Sequence, residues 1–229
     1  MIKTFLRLSA ASIAIALLAV SASAYEFCDN YSSWGDKASA KDLREVTIPA
    51  SGSIEVDGGK NGGISVRGEN RSDILVRACV QAWADSKAEA QNAVDTTRIE
   101  TSPVIRAAGI SEKSNYSVSF EIIVPVRTDL KLSAKNGGIS IVSVDGNIDF
   151  STVNGGVKLG DVAGDVKGRT TNGGVKVALT GQTWRGAGLD VETTNGGVKI
   201  GLPENYAANV EAGTVNGGFK SDFPVLQYK

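Results

Sequence analysis

Four lysines occupy one position of a repeated motif. Lys158, Lys176, Lys199 and Lys220 each stand four residues after the asparagine of an Asn-Gly-Gly triplet, and Ser65 and Ser140 fill the same slot after two other triplets. If the repeats stack, the ammonium groups form a row. A regular row of cations is the chemistry of binding a linear polyanion, such as an acidic cell-surface polysaccharide or the phosphates of a lipopolysaccharide. Like charges one strand apart also repel. The competing reading is therefore an ordinary solvated face, with long side chains splayed, screened by salt and guarding against edge-to-edge association.

Catalytic constellations are harder to find. Asp149, Asp190, Glu192 and Glu211 recur near the second position of the repeat, with Lys131 and Lys167 interrupting the series. A glycosidase-like carboxylate pair would break the repeat rather than follow it. Histidine is absent, which removes the commonest general base and the commonest zinc ligand together. Residues 58–63 are glycine-rich but lack the Lys-Ser/Thr ending of a phosphate loop. The Gly-Asp pairs at 160–161 and 164–165 lack the nine-residue signature of calcium-binding β-rolls. No catalytic residue, metal site or cofactor is expected, and the chain reads as a non-enzymatic binding or scaffolding protein. A carbohydrate-active β-helix enzyme, or a structural envelope component without its own ligand, are the alternatives. Trp34, Trp83 and Trp184 would serve either as sugar-stacking platforms or as covers for strand ends and insertions.

The elements that must position these residues follow from the triplets. Asn-Gly-Gly occurs at Asn61, Asn136, Asn154, Asn172, Asn195 and Asn216, with spacings of 18, 18, 23 and 21 residues from Asn136 onward. A period of this size signals stacked repeats. Aligned on the triplets, the coils begin at Leu130, Ile148, Val166, Leu189 and Val210, and apolar residues alternate with polar ones on both sides of each triplet. Period-two alternation predicts short strands with one buried face. Asn and Gly suit a corner because both accept positive φ at low steric cost. A second turn falls near residues 144–147 and 162–165, and the longer periods carry their extra residues near 181–188 and 202–209. Thr152, Thr170, Thr193 and Thr214 fill the fifth coil position as a β-branched ladder. Two architectures use such corners: an antiparallel β-meander with Asn-Gly hairpins, or a single-stranded parallel β-helix in which like residues stack and the asparagines form a ladder. Only the stacked form gains from the identity of corners one period apart.

Ahead of the regular coils, residues 46–56 and 74–83 read as strands around an early repeat at 61–67. Ser86 and Glu89 have capping-box spacing ahead of an alanine-rich stretch, predicting one short helix near 86–95. Strands return at 99–105 and 117–125. The 75-residue gap between the first two triplets predicts two or three further coils plus the helical insertion. Ser221 and Pro224 break the ladder as a finishing coil would.

Residues 1–24 have the form of a secretory signal peptide: Lys3 and Arg7, an apolar run over 8–20, and Ala22-Ser23-Ala24. The bulky residues Tyr25, Glu26 and Phe27 before Cys28 do not fit a lipoprotein signal, and no later segment is long and apolar enough to span a membrane. This organisation predicts a signal peptide at 1–24, an amino-terminal segment or cap at 25–41, and one β-domain at 42–229 with regular coils over 130–220. The protein is expected in the periplasm or on the cell surface. Beyond the signal the chain carries 22 basic and 25 acidic residues, a balance with no general pull toward nucleic acid. Cys28 and Cys79 are the two cysteines. In an oxidising compartment a disulfide between them would pin the aromatic-rich segment 25–34 to the strand carrying Cys79. Two free thiols are the alternative, and a reactive pair is disfavoured by the 51-residue separation without a Cys-x-x-Cys motif.

The early Asn-Gly-Gly-Ile after residues 46–66, the helix after a long strand, the strand 117–125 ending in Pro125, and the later Asn-Gly repeats together resemble the bacterial putative-adhesin family. The resemblance covers residues 42–223. It implies an exported β-solenoid, right-handed and single-stranded, and it implies no reaction; the expected partner, an anionic cell-surface polysaccharide or an envelope protein, follows from the lysine row instead. Members of that family vary after Asn-Gly, often with Asp; this chain has Gly each time, which leaves the corner uncharged.

Overall fold

Period-two alternation organises the chain as expected, into fifteen strands, with one ten-residue helix and a helical turn at 27–29, in a computed structural model that describes residues 27–29, 36–109 and 115–211. The expected signal peptide at 1–24, Trp34, Thr214, Asn216, Lys220 and the expected finishing coil near Ser221 and Pro224 lie outside the described residues.

The strands form two mixed sheets. Sheet A contains, in spatial order, β1 (Ala38–Pro49), β4 (Asp73–Ala84), β7 (Asn115–Pro125), β3 (Ile64–Glu69), β9 (Ile139–Val142), β11 (Val157–Gly160), β13 (Val175–Ala178) and β15 (Val198–Gly201). Sheet B runs β14 (Gly188–Asn195), β12 (Ala163–Asn172), β10 (Asp145–Asn154), β8 (Asp129–Ala134), β2 (Ser53–Asp57), β6 (Ile105–Ala108) and β5 (Arg98–Glu100). Each described Asn-Gly-Gly corner leads from a strand of sheet B to one of sheet A. The repeats pair in parallel and in phase: Leu130, Ile148, Val166 and Leu189 are consecutive partners, as are Ile139, Val157, Val175 and Val198. The antiparallel meander is thereby excluded for these repeats. Antiparallel pairing is confined to the other end, where β4 pairs with β1 and β7, and β5 with β6. A uniformly parallel stack is corrected to this extent.

The inward residues of both sheets make one core. Phe120, Ile64, Ile139, Val157 and Val175 form one apolar row, and Ile122, Val66, Ile141, Leu159 and Val177 the next, all buried. Each such side chain contributes about 1.5–3 kcal/mol by leaving water.

The long gap is used differently from the expectation. The first repeat, β2–β3, stacks directly on β8–β9, so Asn61 and Asn136 are bridge partners 75 residues apart. The intervening chain builds on the opposite side of the first repeat: β6 and β7 extend it by one parallel layer, and β4 and β1 continue sheet A antiparallel. The chain then returns at Thr128, whose buried hydroxyl donates to the Pro125 carbonyl at 2.7 Å. The predicted two or three coils are thus one parallel layer and a folded-back end.

Helix α1 (Lys87–Thr96) packs against β1 and β4 through Ala90, Ala93 and Val94. Its capping box forms as the sequence predicts, with the Glu89 amide donating to Ser86 Oγ at 3.3 Å and the Ser86 amide donating to Glu89 Oε2 at 3.2 Å. At the other end the Arg44 guanidinium donates to the Val94 and Thr97 carbonyls, satisfying acceptors that a helix terminus leaves open. Cys28 and Cys79 form a disulfide that ties the amino-terminal segment to sheet A. Among the described residues no helix is long and apolar enough to cross a membrane.

Candidate functional site

The corner asparagines form a directional amide ladder. Asn195 Nδ2 donates to Asn172 Oδ1, Asn172 to Asn154 and Asn154 to Asn136, each at 2.8 Å, and Asn136 donates to Asn61 at 3.1 Å. Asn61 Nδ2 ends the chain on the Tyr116 carbonyl at 3.1 Å. These asparagines are therefore occupied with one another and set register. Beside them, Thr152, Thr170 and Thr193 each donate to the first-glycine carbonyl of the preceding corner, at 2.8, 2.8 and 2.7 Å. A ladder read as mutual packing is also a row of hydrogen-bonded staples.

The reason for glycine differs from the sequence argument. No described corner asparagine has positive φ; among the described residues the non-glycine ones that do are Ser143 and Asp161, at the second turn. A Cβ on Gly137, Gly155, Gly173 or Gly196 would lie 1.9–2.2 Å from a glycine carbonyl oxygen of the neighbouring corner. Close backbone packing between layers, not left-handed backbone, excludes larger residues there.

With register set, Lys158, Lys176 and Lys199 are consecutive parallel partners on the outer face of sheet A. Their row continues through Ser140, Ser65, Glu121, Arg77 and Glu45. At that far end charge is internally satisfied: Arg77, only 4% exposed, pairs with Glu45 at 2.8 Å and Glu121 at 2.9 Å. Burial alone lowers the Arg77 pKa, but the two carboxylates outweigh it and hold it above the ordinary arginine value. The three lysines are exposed and have no ion pair or hydrogen bond among the described residues. Strand alternation flanks each with small residues on the same face: Gly156 and Gly160, Gly174 and Ala178, Gly197 and Gly201. The lysines stand on a flat, almost side-chain-free floor, about 4.8 Å apart.

The outer face of sheet B makes the opposite choice. Glu55, Lys131, Asp149, Lys167 and Asp190 are consecutive partners and alternate in sign. Glu55 and Lys131 form an ion pair at 3.1 Å. The hydrogen-bonded carboxylate of Asp165 raises the Lys167 pKa, and Asp190 and Asp149 add to the effect. Of the acidic series seen in the sequence, Asp149 and Asp190 belong to this alternating row with Lys167 between them, whereas Glu192 is the strand partner of Arg169 and Glu211 lies beyond the last strand. The same stack thus neutralises one face and leaves like charges together on the other.

Two features were missed from sequence. The Glu45–Arg77–Glu121 cluster joins three strands remote in the chain. An open cavity of about 330 Å3 lies beside the lysine row, lined by Phe27, Ser65, Ser119, Ser140, Lys158 and backbone of the glycine corners. Its only advance signals were Ser65 and Ser140 in the lysine slot and Phe27 next to a cysteine. Trp184, in the insertion, donates to the Gly164 carbonyl at 3.1 Å and packs partly buried on the core, as a covering residue would, and Trp83 is buried and offers no stacking platform. Among the described residues no three His, Cys, Asp or Glu side chains gather as a metal site would require.

No protein-family model matches the chain, and no curated protein does. Among solved structures, a "putative cell adhesion protein" from Clostridium sporogenes is similar over 71% of this chain and 98% of its own, with 13% identity and a TM-score of 0.43. A "putative adhesin" from Parabacteroides merdae is similar over 70% and 95%, with 10% identity and a TM-score of 0.27. A "putative adhesin" from Parabacteroides distasonis is similar over 69% and 97%, with 11% identity and a TM-score of 0.28. At these identities and TM-scores the likenesses assign neither a family nor a ligand, and a functional reading must rest on this chain's own residues.

Proposed function

We propose that the protein is an exported, non-enzymatic binding module of the bacterial cell envelope, adhesin-like in action, built as a right-handed β-solenoid that presents the lysine face of sheet A to an anionic polymer. The observation that carries this reading is the contrast between faces. Stacking alternates charge on sheet B but sets Lys158, Lys176 and Lys199 side by side on sheet A without compensation. A repulsive row on a bare floor stabilises nothing, and a partner bearing regularly spaced negative charge removes the repulsion. Lys220 would extend the row by one coil. The disulfide supports an oxidising compartment, the periplasm or the cell surface.

The test is binding of the mature chain to immobilised acidic polysaccharide, with neutral dextran as control, for the parent and for a variant with Lys158, Lys176 and Lys199 replaced by Gln. Binding that weakens steeply with salt and disappears in the variant supports the reading. Equal binding by the two proteins overturns it.

A further inference from the structure

Resting on that reading, we infer that the Phe27 cavity is a sugar subsite at the end of the lysine row, and that the polymer is an acidic polysaccharide whose terminal ring stacks on Phe27. Three features converge. The Cys28–Cys79 disulfide fastens the residue next to Phe27 to β4, and Cys79 is the strand partner of Ser119, which lines the cavity. An aromatic side chain is thereby held beside the lysine track. The glycines at 63, 138 and 156 line the cavity without side chains, leaving room for a flat ring to approach the backbone. Ser65 and Ser140 bring hydroxyls that have no hydrogen-bond partner among the described residues, while Ser119 Oγ is engaged by the Gly63 amide at 3.2 Å.

A pyranose ring presents C–H bonds to an aromatic face, whose quadrupole is negative there, and its hydroxyls exchange hydrogen bonds with serine hydroxyls. A phosphate chain has neither a C–H face nor hydroxyl donors. Lys158 lines the cavity and begins the row, so a chain seated on Phe27 passes its carboxylates to Lys158, Lys176 and Lys199 in turn. The row supplies charge and the cavity supplies selectivity for sugar.

The experiment titrates the mature, disulfide-intact protein with an oligogalacturonate and, separately, with inorganic polyphosphate of similar charge. Phe27→Leu keeps apolar bulk but removes the ring, and Ser65→Ala with Ser140→Ala removes both free hydroxyls. Each variant is expected to weaken oligogalacturonate binding about five- to tenfold, the size of one stacking or hydrogen-bond contribution, with polyphosphate binding within about twofold of the parent. Unchanged oligogalacturonate binding in both variants, or equal loss for both ligands, overturns the sugar subsite while the cationic face stands. Parent protein that binds polyphosphate but not oligogalacturonate does the same. Loss of neither ligand in the triple lysine-to-glutamine variant overturns the cationic face itself.

Discussion

Gly155 and Gly156 are neighbours in one corner, yet the structure assigns them opposite responses to alanine. A Cβ on Gly155 would lie 2.1 Å from the Gly137 carbonyl oxygen and 2.5 Å from its carbon, backbone atoms of the next layer that no rotamer change can move. Overpacking of this kind costs about 1–3 kcal/mol. The Gly155 carbonyl also accepts from Thr170 at 2.8 Å, so displacing the corner strains a bond worth about 1 kcal/mol more. On Gly156 the nearest atom is the Gly174 oxygen at 3.5 Å, ordinary contact, and its φ is not positive. Alanine there reduces unfolded-state freedom and is expected to be neutral or to stabilise by about 0.4–1 kcal/mol. Gly155→Ala should therefore lower stability by about 2–4 kcal/mol, or roughly 4–16 °C in melting temperature for a chain of this size, and Gly156→Ala should not. Urea denaturation of the two mature variants and the parent, followed by circular dichroism, measures the difference. Equal destabilisation by the two substitutions would refute the argument that layer-to-layer approach, rather than backbone conformation, dictates glycine here.

Other consequences are equally measurable. Arg77→Ala removes a buried guanidinium shared by the half-exposed Glu45 and the partly buried Glu121, whose carboxylates water still screens, and should cost about 1–3 kcal/mol by the same denaturation assay. Asn154→Ala removes two ladder hydrogen bonds, to Asn136 and from Asn172, and should cost about 1–2 kcal/mol. Lys176→Gln relieves repulsion from both Lys158 and Lys199 and should raise stability by a few tenths of a kcal/mol at low ionic strength, an advantage that shrinks as salt is added. In a chain lacking Cys28 and Cys79, cysteines at Ser65 and Ser140 should be joined by a short bifunctional thiol-reactive crosslinker, whereas Ser65 with Lys158 should not, because another strand lies between.

Much of the local structure is legible because it is local. The capping box of Ser86 and Glu89, the alternation around each triplet and the phase of the coils depend on residues within one or two turns of one another. Candidate lysines were legible for the same reason, since a shared slot in a period becomes a shared row once the repeats stack. Phe27 and the serine-lined cavity were not, because their proximity depends on a disulfide spanning 51 residues and on strands brought together by stacking. The corner glycines were recognised with the wrong cause: a sequence shows that small residues recur, and only the folded chain shows which neighbour would collide.

The sequence by itself determined the repeat, its register and the side chains that each layer presents, because side-chain period and spacing act over a few residues. Tertiary structure alone decided which layers are neighbours. A strand can pair along either of its two edges, and nothing in β2 or β3 says which edge is taken first. The chain filled one edge with β6 and β7, returned through Thr128, and laid Asn136 on Asn61. That choice places the ion-paired Arg77 cluster at one end of the row, the unpaired lysines at the other, and the Phe27 cavity between them.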